Sequence, residues 1–137
     1  MGVAVLAWFF VLGTVIGSFL NVVIYRFNTG MSLAGRSRCL SCGTRLSWRE
    51  LVPIISYLMQ RGRCRSCRAR VASQYLAVEM LTGVLFALIA HLFLFDTLLL
   101  LLNLGIAALL VVTVVYYLRH TIIHDGFVRC LFALSIA

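Results

Sequence analysis

Four cysteines carry the clearest chemistry in the sequence: Cys39-x-x-Cys42 and Cys64-x-x-Cys67, with twenty-one residues between the pairs. A two-residue gap lets both thiolates of a turn converge on one ion, and two such turns complete a tetrahedron, so the pattern reads as a paired-knuckle zinc site. Gly43, just after the first pair, suits the left-handed backbone angle that such a turn needs. Four thiolates leave no open position for water, so the zinc expected here is structural. The competing reading of the same residues is a pair of disulfides. A second cluster lies in "YLRHTIIHD", Tyr117 to Asp125, where Arg119, His120, His124 and Asp125 follow directly on a run of aliphatics. Ionisable groups at a membrane boundary are costly and default to a functional hypothesis, the plainer account being a polar loop between two helices.

The elements that must position these groups follow from composition. The chain has 137 residues, of which 63% are hydrophobic and 12% charged, and its mean hydropathy is +1.05. No soluble core hides that much apolar surface, which excludes a soluble globular domain and predicts an integral membrane protein. Apolar runs long enough to cross a hydrocarbon core of roughly 30 Å extend from about Val3 to Tyr25, Tyr75 to Phe95 and Leu98 to Tyr117. The final stretch, "GFVRCLFALSIA", reads as the start of a fourth span. At about 1.5 Å per residue it covers only about 18 Å, so the chain is expected to be part of a longer polytopic protein. The fold class is therefore an all-α polytopic membrane protein: three transmembrane helices, the start of a fourth, and a small zinc-ribbon-like insert. Residues 1–25, 75–95 and 98–117 form the spans, 26–74 the insert, and 118–137 a loop and the beginning of a further region.

The charge of +8 comes from twelve arginines and no lysine, and ten of the twelve fall between Arg26 and Arg70. Short positively charged loops stay in the cytoplasm, which predicts a cytoplasmic insert and an N-terminus on the far side of the membrane. A reducing compartment favours zinc over disulfides. The first span lacks the charged n-region and small-residue cleavage site of a signal peptide, so it is read as a retained helix. Within the insert, "LSWRELVPIISYLMQRG" predicts a short helix with Ser47 as N-cap and Glu50 three residues on, limited or kinked by Pro53. Trp48, Leu51, Ile54, Ile55 and Leu58 give it an apolar face for the bilayer surface or the membrane helices, with arginines meeting anionic headgroups. A soluble ribbon this basic would suggest nucleic acid, but tethering at both ends favours lipid, and no nucleic-acid partner is expected. Cys130, outside the metal pattern, is expected to be a buried small hydrophobe.

Polar residues inside the spans are the remaining candidates. Gly17, Asn21 and Tyr25 share one face of the first span, with Ser18 beside it, as in a helix-packing seam. Glu79 lies about one turn inside the second span, followed by Thr82 and Gly83. An acid there must be paired, protonated or facing a wet cavity, and an arginine of the insert is the expected partner.

"GSFLNVVIYR" (Gly17 to Arg26), "SRCLSCGTRLSWRELVPIISYL" (Ser37 to Leu58), "RGRCRSCRARVASQY" (Arg61 to Tyr75) and "VEMLTG" (Val78 to Gly83) together resemble the N-terminal part of the bacterial prepilin leader peptidases/N-methyltransferases. The resemblance implies a polytopic inner-membrane enzyme that removes the leader of type IV prepilins and pseudopilins at the cytoplasmic face. In many members it also implies methylation of the new N-terminus with S-adenosylmethionine, the cysteine-bearing region being associated with that half. Cleavage in such enzymes uses two aspartates, one opening a stretch of the form Asp-Leu-Arg-His-Thr-Ile-Ile-Pro-Asp and one in a later Gly-x-Gly-Asp motif. A carboxylate pair splits the work, one ionised to activate water and one protonated to donate. "YLRHTIIHD" aligns with the first stretch, yet Tyr117 stands where the first catalytic Asp belongs and His124 stands where the proline does. A phenol is a poor substitute for a carboxylate as general base near neutral pH. Asp125 matches the second acid of the stretch, which is not the catalytic one, and the Gly-x-Gly-Asp segment would lie past Ala137. Leader cleavage by this chain is therefore not expected. Methyl transfer, with Asn21, Glu79 and the zinc module as contributors, stays open, although the sequence has no glycine-rich nucleotide loop. The reading from a different class is a non-catalytic membrane adaptor that uses its zinc ribbon in pilus or secretion assembly.

Overall fold

The computed structural model describes residues 2–27, 35–120 and 125–136. Among the described residues five α-helices follow in order: α1 Val3–Arg26, α2 Ile55–Met59, α3 Gln74–Phe93, α4 Thr97–His120 and α5 Asp125–Ile136, with a 3-10 turn at Trp48–Glu50 ahead of α2. Among the described residues there is no strand, only isolated backbone bridges at Arg38–Arg45 and Arg63–Arg70. α1, α3 and α4 are each long and apolar enough to cross a membrane. Their outward faces carry side chains such as Val11, Phe19, Leu88, Leu101 and Val114, all about half exposed or more. A helix apolar all round is suited to lipid on one side and protein on the other.

α1 and α3 form the tightest pair, and two glycines of α1 are the reason. A Cβ on Gly13 would stand 2.6 Å from the Thr82 carbonyl oxygen and 2.8 Å from Gly83 Cα. One on Gly17 would stand 2.9 Å from Glu79 Cα. Without a hydrophobic drive between helices in lipid, such backbone contact supplies the packing energy. Farther along, Asn21 Nδ2 donates to the Tyr75 carbonyl at 3.2 Å, so rising numbers on α1 meet falling numbers on α3 and the pair is antiparallel. Leu20, Ile24 and Val78 join Val111 and Val112 of α4 in one apolar cluster, and Phe86, Ala90, Leu100 and Leu104 form a second.

The turn between α3 and α4 is closed by Asp96, whose Oδ1 accepts the Leu99 N–H at 3.0 Å as an N-cap. Its own N–H donates to the Phe93 carbonyl, which ends α3 two residues before the expected Phe95. α4 then runs back to the insert side and continues to His120, past the expected Tyr117. The short helix expected after Ser47, limited or kinked at Pro53, is divided there into the 3-10 turn and α2. Pro53 supplies no N–H and disfavours helical angles at Val52, and Ile54 sits at φ 61, so the chain turns before α2 begins. Cys130 is exposed on α5 rather than buried, because among the described residues α5 packs chiefly against α4. His124 lies outside the described residues.

Candidate metal centre and the polar seam beneath it

The two cysteine pairs fold into matching turns. In the first, Gly43 N–H donates to the Cys39 carbonyl at 2.9 Å and Cys39 N–H to the Thr44 carbonyl at 2.9 Å. In the second, Arg68 N–H donates to Cys64 at 3.0 Å and Cys64 N–H to Ala69 at 2.8 Å. "RCLSCGTRL" (Arg38 to Leu46) and "RCRSCRARV" (Arg63 to Val71) are thus one unit used twice, a repeat visible in the sequence that the cysteine spacing alone leaves unremarked. The residue after each second cysteine must take a left-handed angle. Gly43 does so at φ 72 without penalty, whereas Arg68 does so at φ 61 with a Cβ present.

The four Sγ atoms lie within 4.8 Å of one another. A tetrahedron with Zn–S bonds of about 2.3 Å has edges of about 3.8 Å, and Cys39 Sγ to Cys67 Sγ measures 3.8 Å. The donor set and its spacing therefore fit zinc. The thiols also divide electrostatically. The Thr44 hydroxyl and backbone N–H bring Cys42 down to about 6, and the backbone N–H groups of Cys67 and Ser66 hold Cys64 below the ordinary thiol value. The Ala69 N–H favours a thiolate at Cys67 as well, yet desolvation and the three neighbouring thiols outweigh it and push that group up to about 11. Closely packed thiolates repel one another, and a divalent cation removes the conflict.

Glu79 ties this insert to the membrane helices. It is 7% exposed, and its Oε2 accepts the Ile54 N–H at 2.7 Å. The Ser18 hydroxyl is its other partner. The expected arginine partner is replaced by a main-chain donor: a backbone N–H delivers a hydrogen bond to a buried carboxyl group without bringing a second ion out of water. Asn21 is fully buried between α1 and α3, its Oδ1 without a partner among the described residues.

The same end of the bundle gathers the YLRH residues. Arg119 lies over the Tyr25 ring at 3.8 Å and donates to Gln74 Oε1 at 3.2 Å. Tyr25 stacks on Tyr75 with centroids 5.0 Å apart. Asn21 and Glu79 therefore share the seam, whereas Tyr117 points outward, 47% exposed, and Asp125 lies exposed at the start of α5. The stacking of Tyr25 and Arg119 was signalled only weakly in the sequence, by the four-residue step from Asn21.

Residues 11–93 match the family described as the bacterial peptidase A24 N-terminal domain. The chain belongs to this family. That A24 N-terminal region takes in α3, most of α1, and the whole insert between them, including all four cysteines, Asn21 and Glu79. Curated relatives include a prepilin leader peptidase/N-methyltransferase of Myxococcus xanthus, 50% identical over 78 residues, which are 56% of this chain and 23% of the relative. Those of Bacillus subtilis and Vibrio cholerae are 40% and 37% identical, over 57% and 53% of this chain and 32% of each relative. The chain thus spans about a quarter to a third of the length of these relatives. No solved structure matches it.

Proposed function

We propose that the chain forms the N-terminal membrane platform of a prepilin leader peptidase/N-methyltransferase, its insert on the cytoplasmic side of the bacterial inner membrane and clamped by a structural zinc. The observation that carries this reading is the family match across 11–93, supported by four cysteines spaced for a tetrahedral ion. In this reading Cys39, Cys42, Cys64 and Cys67 hold zinc, which organises the insert and performs no bond chemistry. The platform's substrates are type IV prepilins or pseudopilins. The concentration of arginine in the insert supports the orientation.

Leader cleavage is assigned to no residue of this chain. The position that the resemblance gives to a catalytic aspartate holds Tyr117, exposed on the last turn of α4. The Tyr117 substitution favours one further reading, a non-catalytic adaptor in pilus or secretion assembly.

The test presents the purified chain in nanodiscs with a prepilin carrying a photo-crosslinker in its leader, and with labelled S-adenosylmethionine and a pre-cleaved pilin peptide. The platform reading expects zinc-dependent crosslinking without leader removal. Leader removal would overturn the assignment at Tyr117, and no capture together with no methyl incorporation would overturn the platform. A partner that co-purifies with Tyr117→Ala but is lost with Cys39→Ser, in the absence of prepilin capture, identifies the adaptor.

A further inference from the structure

An open groove of about 1000 Å³ runs between α2 and the second knuckle. Arg49, Arg61, Arg63, Arg65 and Arg68 line it together with Trp48, and all five arginines are exposed. Glu50 is the one acid in the lining, and its carboxylate is already engaged by the N–H and hydroxyl of Ser47, both at 2.8 Å. Arg49 rests on the Trp48 ring at 5.2 Å. Among the described residues none of the five forms a close ion pair, Arg65 alone acting on the Glu50 carboxylate from a distance. So much unpaired positive charge in one concavity attracts anions strongly.

The length of α3 says which anions. α3 has 20 residues, about 30 Å at 1.5 Å each, which is the thickness of a hydrocarbon core. Gln74 therefore stands at the membrane boundary and Glu79 about 7 Å inside it, with its side chain leaning back toward the helix start. The Ile54 N–H, 2.7 Å from the Glu79 carboxyl, is held at that boundary, and α2 starts from it. Ile55 and Met59, 56% and 80% exposed, open into the groove from α2. An apolar strip at the interface beside a cluster of guanidinium groups matches a phospholipid, acyl carbons against the strip and phosphate against the arginines.

We propose that this groove binds anionic phospholipid headgroups of the surrounding bilayer. It holds the zinc insert flat on the membrane and gives the platform a preference for acidic lipid. Arginine suits the task because its planar fork grips a phosphate through two hydrogen bonds.

Trp48 is the reporter. Trp8→Phe leaves it as the sole tryptophan, and the full chain is reconstituted in phosphatidylcholine nanodiscs doped with acyl-brominated phosphatidylglycerol or acyl-brominated phosphatidylcholine at equal mole fraction. The expected result is stronger quenching by the phosphatidylglycerol. Arg61→Gln and Arg65→Gln should each raise the half-quenching mole fraction about fivefold. Retained zinc reports that a variant is folded. Should either lose zinc, the unsubstituted groove decides: its lipid preference should collapse at about 1 M salt, where screening acts within about 3 Å. Equal quenching by the two lipids at low salt overturns the proposal, as does a preference that survives neutralisation or salt. A poly-glutamate peptide that shifts Trp48 emission in neutral nanodiscs, where phosphatidylglycerol gives no extra quenching, would assign the groove to an acidic protein partner instead.

Discussion

Glu79→Ala should release the insert from the membrane helices without unfolding either. In the intact protein the Ile54 N–H reaches the carboxyl oxygen at 2.7 Å, at a site where Glu79 itself is 7% exposed. Removing the acceptor strands a half-buried backbone donor, which costs about 2 kcal/mol. The Ser18 hydroxyl loses its partner as well, but a serine in a helix can turn to a carbonyl of its own preceding turn, so it adds little. A change of about 2 kcal/mol corresponds to roughly a thirtyfold larger equilibrium constant for opening, and so to about thirtyfold faster exchange. Hydrogen–deuterium exchange read at the Ile54 amide measures it directly. Glu79→Gln keeps an acceptor oxygen in place and should accelerate exchange less than about fivefold. The Gly43 and Arg68 amides, bonded inside their knuckles, should be unaffected. Unchanged exchange at Ile54 in Glu79→Ala would refute the reasoning, and so would equal acceleration at Gly43 and Arg68, which would mean that the insert had unfolded rather than undocked.

The purified chain should carry a single zinc ion, measured by elemental mass spectrometry, and Cys64→Ser, which alters the buried thiol of the four, should lose it. Chelation should expose the knuckle amides to exchange while α1 and α3 stay protected. Gly13→Leu drives a side chain into the Thr82 carbonyl, 2.6 Å from the new Cβ, and should destabilise the α1–α3 pair by about 1–3 kcal/mol in a steric-trapping assay. Val3→Leu at an exposed end of α1 should not. The Ser47 backbone N–H and hydroxyl hold the Glu50 carboxyl below the usual carboxylate range. Its contribution is therefore present above the unfolded value of about 4.3 and lost as pH falls through the lower folded value. Protection of the Ser47 amide should fade in acid in the parent chain and show no such pH dependence in Glu50→Gln.

The spans were legible because an unbroken apolar run needs no partner to identify it: Val3 to Tyr25 against the observed Val3–Arg26 is a difference of one residue. The clustering of the four cysteines was legible because a two-residue gap between cysteines is itself a geometric statement. Asn21 and Gly17 were placed on one face by helical periodicity, and that face is the seam. Periodicity does not say what a buried group meets across a long loop. The partner of Glu79 is a main-chain N–H, and every residue but proline offers one, so side-chain chemistry pointed to an arginine instead. The break before α2 depended on Ile54 entering a left-handed angle, which a β-branched residue adopts only when surrounding structure compels it. The charge of the insert was legible as a total, but its gathering on one groove followed from how the second knuckle lies against α2.

The pairing of α1 with α3 also sets a timetable for biosynthesis. Asn21 and the Tyr75 carbonyl it bonds are 54 residues apart in the chain. A ribosome adding about 5–20 residues per second leaves a gap of about 3–11 s between the two. For that interval a fully buried amide and the glycine groove beside it have no helix to face, and the newly inserted segment must wait in the translocon or in lipid. The cysteine turns are completed before Tyr75 is made, so metal capture can precede helix pairing and draw the ends of the intervening chain together. Zinc supply during translation, rather than afterwards, would then govern how quickly the first hairpin of this protein closes.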